Sequence, residues 1–351
     1  MRTIFLVRHG RPDFPLGTRM CLGRTDLPLG ALGRMQACRT ARWLTAAQGL
    51  PVFSSPLRRA AETAQFFTQR YTTIPDLREK DGGDWDGLDF DEIRRRWPEL
   101  YAARGADPTI PIPNAEPAEA VRARAVSALD EAMRRTDGDL LIAAHSFVIR
   151  AILGALDTPD ALRLDVPHAS VTTLTEDGGA MRVVRIGQTP DLPLTPAFAD
   201  ALLTAAAPGA RIEAHCRTVA RQALRIADAL PAALDRDLLE SAALLHDVAR
   251  AEDRHAETAA AWLRELGYGR AAALIGLHHD HDGQTLDEAA ILFLADKCVA
   301  EDRVVPLEAR FENSASRCRT EEARAAHARR YAAAQALKMS INELCQTEVV
   351  K

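Results

Sequence analysis

The sequence predicts an α/β domain, with a mostly parallel sheet flanked by helices, followed by an all-α helical domain. Three observations carry this. Up to about residue 188, short β-rich runs alternate with helical stretches, the pattern of strand–helix units in a parallel sheet. Gly187-Gln188-Thr189-Pro190-Asp191-Leu192-Pro193-Leu194-Thr195-Pro196 then brings three prolines that break both periodicities. From Ala197 onward Ala, Leu, Arg and Glu dominate, and no convincing strand remains. The expected division is a first domain over 1–188, a linker over 189–197 and a helical domain over 198–351.

The strands expected in order are Thr3–Val7, Pro51–Ser54, Leu140–Ala144, Ser170–Leu174 and Met181–Ile186. Between them lie helical stretches such as Gly33–Ala47 and Ala118–Arg135, the latter with Pro117 at its start, where proline is tolerated. In the second domain Val219, Ala223, Ile226, Ala227 and Leu230 repeat at helical spacing. The segment after Thr320 reads as a highly charged helix solvated along one face.

Composition bounds the function. With 351 residues, 47% hydrophobic and 26% charged, the chain is long enough for two cores. A net charge of −5 offers no global basic field for nucleic acid. The six cysteines are scattered without a CxxC pair and read as reduced thiols. The N-terminus begins a strand at once and lacks a signal-peptide pattern, and no apolar run is long enough to span a bilayer. The expectation is a cytoplasmic protein without membrane or nucleic-acid partners.

Three strand ends carry chemistry. Leu6-Val7-Arg8-His9-Gly10 closes the first strand, Val52 to Arg59 turns a strand into an arginine-bearing helix start, and Leu140 to His145 ends a buried strand in histidine. Ligands in open α/β sheets bind beyond the carboxyl ends of strands. Neutral imidazole is a competent nucleophile, and guanidinium groups clasp phosphate oxygens and stabilise developing charge. Glu79 and Asp81 are the local candidates to protonate a leaving alkoxide, since a carboxyl beside a phosphate dianion has its pKa raised.

These stretches, with Ser54 to Ala64, Leu77-Arg78-Glu79, Gly83-Asp84-Trp85-Asp86-Gly87 and Ala144-His145, make the first ~190 residues resemble the histidine phosphatase (phosphoglycerate-mutase-like) superfamily. The resemblance implies His9 as nucleophile, Arg8, Arg59 and His145 as the phosphate pocket, and Glu79 as proton donor, with no metal or cofactor required. Cys21 to Leu29 is similar to the α-ribazole-phosphate phosphatase branch. That likeness brings Arg24 and Thr25 toward the substrate. Two stretches depart from the family pattern. Ser146-Phe147 stand where glycines are usual, and Pro113-Asn114-Ala115-Glu116-Pro117 replaces a Pro-Gly-Gly-Glu-Ser-like stretch. Both bear on substrate identity. Arg58 and the run Arg94-Arg95-Arg96 read as solvated helix faces.

The second domain concentrates His215, His246-Asp247, His255, His278 and Asp296. Imidazoles and carboxylates without paired cysteines suit a divalent metal such as Fe, Mn, Zn or Mg, and ligands from several helices can converge inside a bundle. A bridging carboxylate allows two metals, which activate water and clamp a phosphate. About 210–310 resembles an HD-domain metal-dependent phosphohydrolase through His215, His246-Asp247 and Asp296. His255 and His278 match the extra histidines of dinuclear members, with His279 as the alternative to His278. His281 and His327 read as exposed and unliganded.

The chain therefore reads as a bifunctional phosphohydrolase. The first domain would act on a small phosphorylated metabolite, and the second on a phosphoester or nucleotide. Two alternatives stand beside this. One is phosphoglycerate mutase chemistry in the first domain, disfavoured by the absence of long insertions. The other is a sensor in which one silent domain binds a ligand and regulates its neighbour.

Overall fold

The computed structural model describes residues 1–15, 17–231 and 233–350. Positions 16, 232 and 351, which fall within the two expected domains, lie outside the described residues. The chain divides into two compact units, Met1–Leu192 and Pro193–Lys351.

The first unit is built on strands β1 (Arg2–Arg8), β2 (Val52–Ser54), β3 (Thr72–Thr73), β4 (Leu140–Ala144), β5 (Val171–Asp177) and β6 (Ala180–Gln188). Its helices are α1 (Ala31–Trp43), α2 (Arg58–Ala64), α3 (Phe90–Arg96), α4 (Pro98–Ala106), α5 (Ala118–Arg134) and α6 (Ser146–Ala155). The sheet order is β3-β2-β4-β1-β5-β6. The first four strands run parallel, whereas β5 and β6 are antiparallel to their neighbours.

The centre of the sheet follows from hydrophobicity. Ile4 to Val7 and Leu140 to Ala144 are buried on both faces, as expected of near-continuous apolar strands covered by helices on either side. Each large side chain buried there contributes roughly 1.5–3 kcal/mol. Because β2, β4 and β1 are adjacent and parallel, their carboxyl ends open at one edge. Arg8 pairs with Ala144, so the residues that follow each strand, His9 and His145, become neighbours. Glycine permits the close packing there: a Cβ on Gly10 would lie 2.3 Å from the Gly33 carbonyl oxygen, and one on Gly33 would lie 1.9 Å from that of Arg11.

The second unit comprises α7 (Pro196–Ala206), α8 (Ala210–Ala229), α9 (Arg236–Leu245), α10 (His255–Glu265), α11 (Gly269–Leu277) and α12 (Glu288–Lys297). The hairpin β7 (Val299–Ala300) and β8 (Arg303–Val304) follows, then α13 (Leu307–Ala315) and α14 (Glu321–Cys345). The linker ends where Thr195 caps α7 by accepting the Phe198 N–H, with Pro196 in the first turn. Helix α12 is buried from Ala289 to Asp296 and forms the centre of the unit.

The sequence reading of no strand beyond Ala197 is corrected by the β7–β8 hairpin, since two-residue strands are too short to show a period. The exposure expected of His281 and His327 is corrected as well, since both are half-buried. His281 packs its ring 6.0 Å from Phe293, and His327 bonds Ser314 Oγ at 2.8 Å. Arg94 and Arg96 are exposed, as expected, and pair with Asp91 and Glu92. Cys21, Cys216, Cys298, Cys318 and Cys345 are free thiols. Among the described residues, no helix is long and apolar enough to cross a membrane.

Candidate active sites

At the carboxyl edge of the first sheet, His9 Nδ1 lies 2.7 Å from the carbonyl oxygen of Gly10. A carbonyl only accepts, so Nδ1 carries the proton and Nε2 keeps its lone pair. Burial, reinforced by Arg59, His145 and Arg8, holds the His9 pKa well below its ordinary value, which keeps the imidazole neutral. The His145 ring lies 5.1 Å from His9. Its Nε2 meets Ser55 Oγ at 2.7 Å, while its buried Nδ1 has no partner among the described residues.

Two guanidinium groups frame these rings. Arg8 binds the Val166 carbonyl at 2.6 Å and His168 Nε2 at 3.0 Å. Fully buried Arg59 donates to the carbonyls of Thr25 and Gly23, each at 2.9 Å. Neither forms an ion pair among the described residues, and both Nε groups lack a partner. Burial pushes the Arg8 pKa down to about 10 and lowers that of Arg59. Arg59 is buried and Arg8 half-buried; holding two cations so close without a counter-charge is costly, and an anion held between them would offset that cost.

The loop that holds Arg59 is itself held by Asp86. Its carboxylate accepts the N–H groups of Gly23 at 2.9 Å and of Arg24 at 2.6 Å, with Thr25 further out at 3.3 Å. Arg24 is exposed and pairs with Asp81 at 3.2 Å. The contact of Thr25 with Arg59 is made by its main chain, so the loop acts on the pocket through carbonyl groups.

Glu79 is buried. Its carboxylate accepts the main-chain N–H of Lys80 at 2.9 Å and of Phe147 at 3.2 Å, so the Phe147 departure lies directly against it. The segment carrying Glu79 is clamped by buried Arg124. That guanidinium bonds the carbonyls of Asp76, Arg78 and Glu79 and both oxygens of Glu116.

Sequence reasoning missed His168, Asp86 and Arg124. His168 lies in the turn just before antiparallel β5, with its ring 5.5 Å from His9. The search followed the carboxyl ends of strands, but an antiparallel strand brings its amino end to the same edge. Pro167-His168 immediately before a β-run was the available signal.

The model of the histidine phosphatase superfamily (branch 1) matches residues 4–189. This chain belongs to the histidine phosphatase superfamily. A phosphatase PhoE of Bacillus subtilis is 31% identical over 167 residues, covering 46% of this chain and 80% of the relative. A phosphoglycerate mutase-like protein 4 of Arabidopsis thaliana is 34% identical, over 42% of this chain and 68% of the relative. A glucosyl-3-phosphoglycerate phosphatase of Mycobacterium tuberculosis is 32% identical, over 44% of this chain and 75% of the relative. This histidine phosphatase also carries a second family match: the HD domain, over residues 212–301. The chain is a phosphohydrolase.

Within the HD span, two donor groups share one carboxylate. His215 and His246 approach Asp247 Oδ2 at 3.9 and 3.8 Å, and Asp296 Oδ1 at 3.2 and 3.7 Å. On the other side, His255 and His278 approach Asp247 Oδ1 at 3.2 and 3.7 Å. His279 Nε2 lies 2.8 Å from His255 Nε2. The structure thus brings His278 and His279 together, where the sequence offered them as alternatives.

These residues fit a divalent metal. Nδ1 of His215, His246 and His278 each faces a main-chain carbonyl at 2.7 Å, which turns the Nε2 lone pairs inward. His246 Nε2, His278 Nε2 and Asp247 Oδ1 are buried without a hydrogen-bond partner among the described residues. The ligand atoms of His215, His246 and Asp247 lie within 4.8 Å of one another, as do those of His255, His278 and His279. The β7–β8 turn supplies the Glu301 carbonyl that orients His215. Burial opposes the charge on Asp296, but Lys297 at 2.6 Å outweighs it and keeps the carboxylate ionised. Burial pushes His278 down to about 2, leaving its imidazole unprotonated and free to donate a lone pair.

Proposed function

We propose that the chain is a bifunctional phosphohydrolase with two chemically independent sites. The first removes a phosphoryl group from a small phosphorylated metabolite. The observation that carries this reading is a neutral imidazole with a free Nε2 beside two guanidinium groups without a carboxylate partner, Arg59 buried and Arg8 half-buried. His9 Nε2 attacks phosphorus, and the ester oxygen leaves with a proton from Glu79. Arg8, Arg59 and the open Nδ1 of His145 bind the equatorial oxygens, where charge builds. Water then hydrolyses the phosphohistidine, with Glu79 as base. Arg24 and Thr25 line the mouth. The relatives' names favour a phosphorylated sugar or glycerate derivative, and the loop of residues 21–29 adds ribazole phosphate to the candidates.

In the second site, His215, His246, Asp247 and Asp296 would hold one divalent ion, and Asp247, His255 and His278, with His279 adjacent, a second. Bound metal supplies Lewis-acid charge neutralisation and activates water toward a phosphoester or nucleotide. The chain's own part is to hold His215, His246 and His278 each through a main-chain carbonyl and to share Asp247 between the two groups.

Trapping labelled phosphate by a denaturing quench at alkaline pH, where a phosphohistidine survives, tests the first site. With chelator present, the labelled peptide should contain His9, and His9→Ala should carry no label. Label on another residue would overturn the assignment.

A further inference from the structure

The HD match ends at residue 301, but the cavity over its histidines does not. That cavity has a volume of about 850 Å³ and reaches from His215, Asp247 and Asp296 outward to β8, α13 and α14. Its outer wall carries Arg303, Arg310, Arg317 and Arg330, all beyond the matched span. Arg211, Arg250 and Lys297 add three cations nearer the donor groups. Against these seven stand three lining carboxylates, Asp247, Asp296 and Glu301, in a chain whose net charge is −5.

The cations are not equivalent. Lys297 is paired with Asp296, Arg211 with Glu301, and Arg330 with Asp280 through both carboxylate oxygens. Arg310 donates to the Val299 carbonyl. Arg303 and Arg317 are exposed and have no acidic partner among the described residues. A single phosphate monoester at the donor cluster would leave this outer positive wall unused. Guanidinium groups set out along a groove suit a chain of phosphoryl groups.

We infer that the segment from Arg303 to Arg330 is the substrate-selecting wall of the HD site, and that the site takes a substrate with three or more linked phosphoryl groups. The inference rests on the metal-dependent hydrolase reading above and names its substrate class. The inner end of the chain would lie at the histidine cluster and the outer phosphates against Arg303 and Arg317.

The test is calorimetric titration of the metal-free full chain with inorganic tripolyphosphate and with orthophosphate, fitted to two sites because the first unit has its own phosphate pocket. Tripolyphosphate should bind the second site at least tenfold more tightly than orthophosphate. Arg303→Ala and Arg317→Ala should each weaken it by about tenfold, the loss of one charged contact. Arg254→Ala, which removes an exposed arginine paired with Glu257, should leave it unchanged. Adenosine triphosphate serves as a further arm: tighter binding than tripolyphosphate assigns the chain to a nucleotide, equal binding to an inorganic oligophosphate. Equal affinity for tripolyphosphate and orthophosphate, or indifference to both arginine variants, would overturn the inference. If binding depends on the arginines but no chelator-sensitive hydrolysis exists, the hydrolase reading fails instead. If hydrolysis is present and arginine-independent, the wall assignment alone fails.

Discussion

Replacing Arg124 by alanine should damage the first unit out of proportion to its distance from His9. The guanidinium uses all five N–H donors: two on Glu116, at 2.8 Å each, and three on the carbonyls of Asp76, Arg78 and Glu79 at 2.7, 2.6 and 3.2 Å. Truncation leaves a mostly buried carboxylate and three carbonyls without their partner. Breaking one side of such a pair costs about 3–5 kcal/mol. Arg124→Lys keeps the charge on Glu116 but loses the planar fork, and should cost roughly half as much. Urea unfolding followed by tryptophan fluorescence suits the measurement, because Trp43, Trp85 and Trp97 lie in the first unit and Trp262 alone in the second. The sign with pH also follows. Burial pushes the Glu116 pKa up, but the hydrogen bonds and charge of Arg124 outweigh it and hold the value below the ordinary 4.5. The stabilisation is therefore complete above about pH 4.5 and is lost as pH falls through the depressed value, so wild type and variant should converge in acid. At neutral pH the variant should lose kcat by up to about a hundredfold, as expected for a displaced catalytic group, with a smaller change in KM. A destabilisation below about 1 kcal/mol with unchanged kcat would refute the clamp.

Asp247→Asn should lower metal content below one ion per chain and abolish chelator-sensitive activity, because both donor groups lean on that carboxylate; elemental analysis with two ions retained would contradict this. Burial holds the pKa values of His9, His145 and His168 below the ordinary 6.5. The unfolded chain therefore binds more protons as pH drops below about 6.5, and the first unit should lose stability there while the free-enzyme kcat/KM of the chelator-resistant activity stays on its plateau. A kcat/KM limb centred at 6.5 or higher would contradict the neutral-imidazole assignment. Asp86→Ala should release residues 23–25 and with them Arg59, raising KM for a phosphomonoester by about tenfold for each charged contact weakened; an unchanged KM would exclude that relay.

Much of this architecture was legible because it rests on strong local signals. Ile4 to Val7 and Leu140 to Ala144 are apolar without interruption and could only be buried strands, and each ends in a histidine. The prolines at 190, 193 and 196 mark the end of the sheet unit and the start of α7. What was not legible depends on direction or on the main chain. His168 reaches the pocket because β5 runs antiparallel, which no residue pattern stated. Arg124 sits mid-helix on α5 with the spacing of an ordinary surface arginine, and its importance comes from carbonyl groups some 45 residues away in sequence. The β7–β8 hairpin is two residues a side, yet its turn fixes His215. His278 and His279 adjoin in sequence, and only the helix end at Leu277 decides that both rings face the cluster.

The central claim is that one chain holds two independent phosphohydrolase sites. Its most direct test is hydrolysis of an aryl phosphate by wild type, His9→Ala and His246→Ala, each with and without chelator, after thermal unfolding has shown both variants folded. The account predicts that His9→Ala removes only a chelator-resistant activity and His246→Ala only a chelator-sensitive one. Loss of all activity to chelator, with His9→Ala unimpaired, would contradict it and leave the first unit a binding module.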